Sequence, residues 1–234
     1  MIDTILVIGN GGAGKSIMVW YLSSLLIENG YDIHYISDRL GLEEAVMKDT
    51  RYAPKQQDGS KVGKRSKLIS DGPPGHKKVH VLDGSILNEV HADMIARIAS
   101  KKEKKIFLIE YATGPEISFG AQKQPIHQSA DSLVGLIKKY RVRERLFLIE
   151  IHVPVGIRQW RQSHRPDAMA DETFHAYFGD GGIMTPKAQS YVGHHYYRLV
   201  NVEEDNDGYY SEVRHLYDTR IQPNLKATTA LHRV

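Results

Sequence analysis

Gly9-Asn10-Gly11-Gly12-Ala13-Gly14-Lys15-Ser16 carries the spacing G-x-x-x-x-G-K-[ST], and each residue type in it has a use in holding phosphate. Glycines let consecutive backbone N–H groups converge on phosphate oxygens, and the dipole at a helix N-terminus favours the same anion. The Lys15 ammonium reaches the terminal phosphates of a nucleoside triphosphate, and the Ser16 hydroxyl is suited to Mg²⁺. Such a loop works where a strand ends and a helix begins. Residues 4–8, TILVI, form a β-branched apolar run of the kind buried on both faces of a sheet, and the residues from Ser16 to Asn29 predict a helix stopped by Gly30. A glycine-rich turn that merely joined the two would not need Lys and Ser in register.

Magnesium-dependent phosphoryl transfer also needs carboxylates outside the C-terminal ends of parallel strands. Asp38 follows a second predicted strand in YISDRLG. It can serve as general base toward an acceptor hydroxyl or hold Mg²⁺ through water, or it can cap a helix that begins near Leu40. Glu110 closes the apolar strand KKIFLIE at 104–110 and is the first choice for a metal-side acid, or is an ordinary charged strand terminus. Asp83, in VHVLDGS, competes for that place if residues 79–82 are a sheet strand and not half of a hairpin. Glu150 precedes IHVPVGIRQWR and is expected to have a structural role.

Arg158, Arg161 and Arg165 are spaced by three and four, so a helix puts them on one face. There they can close over donor phosphates and neutralise charge that develops during transfer, or form an ordinary solvated basic face. Pro166, between Arg165 and Asp167, predicts a break in that helix. Phe174, Tyr177 and Phe178 read as a packing stripe. The twelve histidines are scattered, and His194-His195 has no carboxylate at helical spacing, so no metal site is expected beyond nucleotide-borne Mg²⁺.

The elements that must position these groups alternate. After the first helix, residues 31–36 predict a strand, Leu40–Lys48 a short helix, Ile86–Ile98 an amphipathic helix, 104–110 a strand, and Ser129 the start of another helix. RLFLIEI at 145–151, an arginine-rich helical segment at 155–178 and YYRLVNV at 196–202 follow. The first helix has apolar residues on nearly every face and is expected to be buried. FLIE occurs at 107–110 and again at 147–150 with unmatched flanks, a sign of similar demand on two central strands. Residues 50–78 lack periodicity and read as an insertion, although SKLIS, DGPPGH and KKVHVL can pair as a hairpin. This order predicts right-handed crossovers and a mostly parallel sheet covered on both faces.

A chain of 234 residues with 41% hydrophobic and 25% charged residues has ample core for a folded domain. It has no cysteine, which excludes disulfides, thiolate zinc cages and thiol nucleophiles, and a reducing cytoplasmic interior is the expected setting. Asp3 and Lys15 interrupt the apolar start, so neither a secretion signal nor a membrane span is expected. The net charge of +3 hides a basic segment: residues 55–78 hold seven Lys or Arg against Asp58 and Asp71. Lys61, Lys64, Arg65 and Lys67 can grip nucleic acid, but a solvated loop is the favoured reading.

On residues 4–16 the chain resembles the P-loop NTPases, and the order of elements extends the resemblance over most of residues 1–210. Gly12 makes the loop G-x-x-G-x-G-K-S, similar to nucleoside, nucleotide and small-metabolite kinases such as the adenylate-kinase-like and adenylylsulfate-kinase-like groups. Ile17 departs from them, since many place a second hydroxyl residue there. Asp38, twenty-three positions after Lys15, resembles the acid that faces the acceptor hydroxyl in adenylylsulfate kinases and phosphotransferase toxins. Glu110 would be the Walker-B-like acid, where Asp is commoner.

The resemblance implies a three-layer α/β/α fold spanning 1–210, with a basic insertion at about 50–78, an arginine-rich lid at about 155–180 and a C-terminal helix and tail at 211–234. It further implies ATP or another NTP with Mg²⁺, and transfer of the γ-phosphoryl group to a small acceptor such as a nucleoside or nucleotide. No N-K-x-D motif reads guanine. A switch ATPase of the partitioning and metallochaperone kind has a similar loop, K-G-G-x-G-K-[ST], but Asn10 replaces its signature lysine. Asn201, after the last strand, fits either family. A nucleic-acid-binding NTPase is the third reading, supported by the basic segment alone.

Overall fold

A computed structural model describes residues 1–75, 77–100, 105–114, 117–119, 124–126, 129–164, 175, 179, 183–201 and 206–225. Thr4–Gly9 (β1) lies at the centre of a five-stranded sheet in which every pairing is parallel. Its partners are Ile33–Ser37 (β2), Ile106–Ala112 (β6), Leu146–His152 (β9) and Tyr196–Val200 (β10), in the order β10-β9-β1-β6-β2. All six residues of β1 are buried, as an apolar run without alternation requires when both faces are covered. Ile5, Val7, Leu108 and Ile149 face one layer, whereas Leu6, Ile8, Ile109 and Leu148 face the other. The two FLIE strands are β6 and β9, the immediate neighbours of β1.

The first layer holds Lys15–Glu28 (α1) and Asn206–Leu216 (α7), which continues as a π-turn at Tyr217–Ile221. Met18, Leu22, Leu25 and Leu26 of α1 are buried with Val213, Leu216 and Tyr217. The expectation of a helix buried on nearly every face is corrected here. Ile17, Trp20 and Ile27 point outward, with Trp20 65% exposed, because an outer-layer helix meets neighbours on only part of its circumference. The opposite layer holds Ser85–Ala99 (α3), Ala130–Tyr140 (α4) and Pro186–Val192 (α6). Ser129 caps α4 by accepting from the Ser132 N–H at 3.1 Å.

Asp38–Asp49 (α2) begins two residues before Leu40. Its cap is the Ser37 hydroxyl, which accepts from the Arg39 N–H at 3.2 Å, so Asp38 is the first helical residue and not the cap. Beyond α2 the basic segment is a folded part of the chain. Lys61–Val62 (β3), Ser66–Ser70 (β4) and Lys78–Val81 (β5) form an antiparallel sheet in that order, which includes the expected hairpin and one more strand. Leu68 and Val81 pack with Val46 of α2 and with Ile86 and Leu87 of α3. Glu43, 3% exposed, accepts from the N–H groups of Gly75 at 2.7 Å and Lys77 at 3.1 Å, fastening the β4–β5 turn to α2.

A two-stranded ribbon, Ile117–Phe119 (β7) and Gln124–Ile126 (β8), precedes α4. Val155–Ser163 (α5) follows β9. Arg165, Asp167, Phe174, Tyr177 and Phe178 lie outside the described residues. Among the described residues no helix is long and apolar enough to cross a membrane.

Candidate active site

The phosphate loop leaves β1 at Gly9 and enters α1 at Lys15. Gly12 and Gly14 have φ of 78° and 90°, the left-handed region that a side chain disfavours. A Cβ at Gly12 would also stand 2.9 Å from the Arg158 carbonyl oxygen, so the loop is packed against α5. Asn10, 7% exposed, accepts from the Thr113 hydroxyl at 3.0 Å, and the Gly9 carbonyl accepts from the Thr113 N–H at 3.0 Å. These bonds tie the start of the loop to the end of β6. Lys15 is buried at the head of α1, its Nζ donating to the Asn10 carbonyl at 3.1 Å.

Beside that ammonium two further strand ends contribute acids. The Ser16 hydroxyl donates to Glu110 Oε1 at 2.7 Å, and the Tyr35 hydroxyl donates to Oε2 of the same carboxylate at 2.8 Å. Parallel pairing sets Glu110 opposite Val7 on β1 and opposite Ser37 on β2, so its side chain rises on the α1 face. The strand runs two residues past Glu110, to Ala112. Asp38 Oδ2 accepts from the Ala112 N–H. Burial pushes the Asp38 carboxyl above the usual carboxylate range, and the Lys15 ammonium, the Ala112 and Arg39 N–H groups and the Arg39 charge oppose that rise. Burial and the Glu110 carboxylate likewise raise the Tyr35 phenol, which therefore stays a donor.

Asp83 is elsewhere. Residues 78–81 belong to the antiparallel sheet, and Asp83 Oδ1 accepts from the Ser85 N–H at 2.8 Å at the start of α3. The condition under which it would compete with Glu110 is therefore not met. Glu150, 1% exposed, accepts from the Met184 N–H at 2.6 Å, the Tyr196 hydroxyl at 2.5 Å and Arg198 Nε at 2.9 Å. With both oxygens so engaged it binds β9, β10 and the segment before α6 together.

Arg158 and Arg161 both stand near the loop, in different ways. Arg158 is 2% exposed, and its guanidinium donates to the Val153 carbonyl at 2.9 Å and the Gly179 carbonyl at 3.4 Å. Arg161 reaches the Gly12 carbonyl at 3.5 Å and Asn201 Oδ1 at 3.3 Å. The Asn201 amide nitrogen lies 3.1 Å from the position of a Cβ at Gly14, so Arg161 and Asn201 wall the loop opposite Glu110.

In the basic segment, Arg65 pairs with Glu89 at 2.6 Å, Lys67 with Asp58 at 3.1 Å and Lys77 with Asp71. Much of that charge is thus compensated locally. A groove of about 580 Å³ between α2, α3 and β2 has Tyr35 and Ser37 in its lining. Tyr35 and Thr113 have no motif to reveal them. The faint signal for Tyr35 is an aromatic residue two positions before Ser37 on a strand that ends at an acid.

The oxygen set at this edge, a hydroxyl and a carboxylate 2.7 Å apart, suits a hard cation such as Mg²⁺. No protein-family model matches the chain, and no curated protein matches it in sequence. Solved structures do match. The shikimate kinase of Acinetobacter baumannii, solved with shikimate, aligns with a TM-score of 0.50 at 13% identity over 97% of each chain. A sugar kinase from Janibacter aligns at 0.46 and 12% identity over 97% of this chain and 100% of its own. The APS kinase of Mycobacterium tuberculosis, solved with AMPPNP and APS, aligns at 0.47 and 14% identity over 93% of this chain and 98% of its own. At such identities the likeness concerns the fold, and the shikimate kinase match carries it: the chain has a P-loop kinase-like fold built on a mostly parallel five-stranded sheet.

Proposed function

We propose that this chain is a phosphotransferase that uses ATP, or another nucleoside triphosphate, with Mg²⁺ to phosphorylate a small hydroxyl-bearing acceptor. The observation that carries the reading is the meeting of Lys15, Ser16, Glu110 and Asp38 at one edge of the sheet, around a loop that turns on glycines in the left-handed region. Residues 9–16 bind the phosphates through backbone N–H groups and the Lys15 ammonium. Ser16 and Glu110 would hold Mg²⁺, which when bound neutralises charge on the phosphates and orients them.

Asp38 accepts the proton of the acceptor hydroxyl. That oxygen forms a bond to the γ-phosphorus while the bond from phosphorus to the β,γ-bridging oxygen breaks, and the nucleoside diphosphate departs with the electron pair. A carboxyl raised by burial is a better base than an ordinary one, and the adjacent Lys15 charge opposes part of that rise. Arg161, whose guanidinium reaches the Gly12 carbonyl, would approach the donor phosphates, whereas Arg158 holds the backbone that leads into α5. Arg165 belongs to the same proposal by spacing only. Residues 1–210 would be the catalytic unit, the segment at about 50–78 its acceptor-side element and residues 155–180 its lid.

The test is incubation of the full chain with radiolabelled ATP, Mg²⁺ and a panel of hydroxyl-bearing metabolites. A labelled small-molecule product is expected, and it should disappear in Lys15→Ala and Asp38→Asn. Turnover that yields free phosphate alone with every acceptor would overturn the kinase reading in favour of a switch ATPase.

A further inference from the structure

Glu110 is held from two sides, and only one of its holders belongs to the phosphate loop. Ser16 donates to Oε1 at 2.7 Å and Tyr35 to Oε2 at 2.8 Å. Tyr35 stands on β2, the edge strand of the sheet, and is 43% exposed, so its ring adds little to the core. Two hydrogen bonds thus link the first turn of α1 through Glu110 to Tyr35 on β2.

We infer that Tyr35 is a positioning residue: its hydroxyl fixes the Glu110 carboxylate so that the oxygen beside Ser16 stays directed at the metal-binding edge of the loop. This rests on the phosphotransferase reading above. A glutamate side chain turns about several bonds, and a charge-assisted hydrogen bond from a rigid phenol restricts it at little entropic cost, since a tyrosine has only two free torsions. Without the hydroxyl, Glu110 keeps its charge but loses its aim. The deficit should then appear in the magnesium-dependent part of nucleotide binding and nowhere else.

Calorimetric titration of the full chain with ATP, in Mg²⁺ and separately in EDTA, measures that part as a ratio of affinities. Tyr35→Phe should reduce the ratio roughly three- to tenfold, within the usual worth of a single hydrogen bond, while affinity in EDTA stays within about twofold of the original. Glu110→Gln should reduce the ratio at least as far, and Tyr35→Phe placed on top of it should change nothing more, since the two act as a unit. An undiminished ratio in Tyr35→Phe, an equal loss in both buffers, or full additivity with Glu110→Gln would overturn the inference while nucleotide binding still stands. Failure of the unaltered chain to bind ATP in either buffer would overturn the phosphotransferase reading, and this inference with it.

Discussion

Glu110 and Glu150 end the same tetrapeptide, FLIE, on the two strands that flank β1, yet they have opposite surroundings. Glu110 pairs opposite Val7, and Glu150 opposite Ile8. An offset of one residue sends the two side chains to opposite faces of the sheet. On the α1 face Glu110 meets the first hydroxyl of the helix and a solvent-edge tyrosine. On the other face Glu150 is enclosed and spends its oxygens on Arg198, Tyr196 and the Met184 N–H. The tetrapeptide alone does not tell the two glutamates apart; the neighbouring residues favour Glu110 as the acid, and strand register sets it beside Ser16 and Glu150 within the scaffold.

The largest effect that would test this division is on stability. Glu150→Ala leaves buried donors without their acceptor and should cost about 2–3 kcal/mol in urea unfolding, at the lower end of the range for a broken buried pair because Arg198 keeps 35% of its side-chain exposure. Nucleotide affinity of the folded fraction should not change. A weakened affinity at full stability would erase the contrast between the two glutamates.

On the α1 face, Lys15→Ala should lower ATP affinity by about tenfold or more, through loss of a charged hydrogen-bond donor to phosphate, with a near-normal melting curve. Glu110→Gln comes next: less than about 1 kcal/mol of stability, as for a substitution outside the core, but a clear loss of the affinity that Mg²⁺ adds. Comparing its urea midpoint with that of Glu150→Ala sharpens the contrast directly.

The smallest effect concerns pH. Burial holds the Asp38 carboxyl above its unfolded value, so between those two values the folded chain keeps a proton that the unfolded chain releases, and stability falls as pH rises through that interval. Asp38→Asn removes this loss. Thermal midpoints recorded from about pH 4 upward, starting near the ordinary carboxylate value, should decline less in Asp38→Asn than in the original chain, while acceptor phosphorylation is abolished. A parallel decline in both would show that Asp38 titrates as an ordinary carboxylate.

Much of the scaffold could be read from the chain. TILVI, IFLIE and LFLIEI are strands because continuous apolar runs of that length bury both faces, and Lys15 and Ser16 are legible because the loop that carries them is local. The outward face of α1 was not legible, since apolar content at Ile17, Trp20 and Ile27 does not say how many neighbours the topology supplies. Nor were Tyr35 and Glu43, each of which acts on a residue or turn that is distant in the chain, Glu110 in one case and Gly75 with Lys77 in the other. Asp83 shows the converse. It has the right residue type at the end of an apolar strand, but the strand belongs to a separate antiparallel sheet.

By itself the sequence determined a strand, a glycine-rich turn and a helix in the order that phosphate binding needs, because those features depend on residues within a few positions of one another. The tertiary structure alone decided which acid stands beside Ser16, which arginine borders Gly12 and which glutamate is walled into the scaffold. These depend on register and crossover between strands more than a hundred residues apart for β1 and β9, and side-chain alternation turns a shift of one position into a change of face.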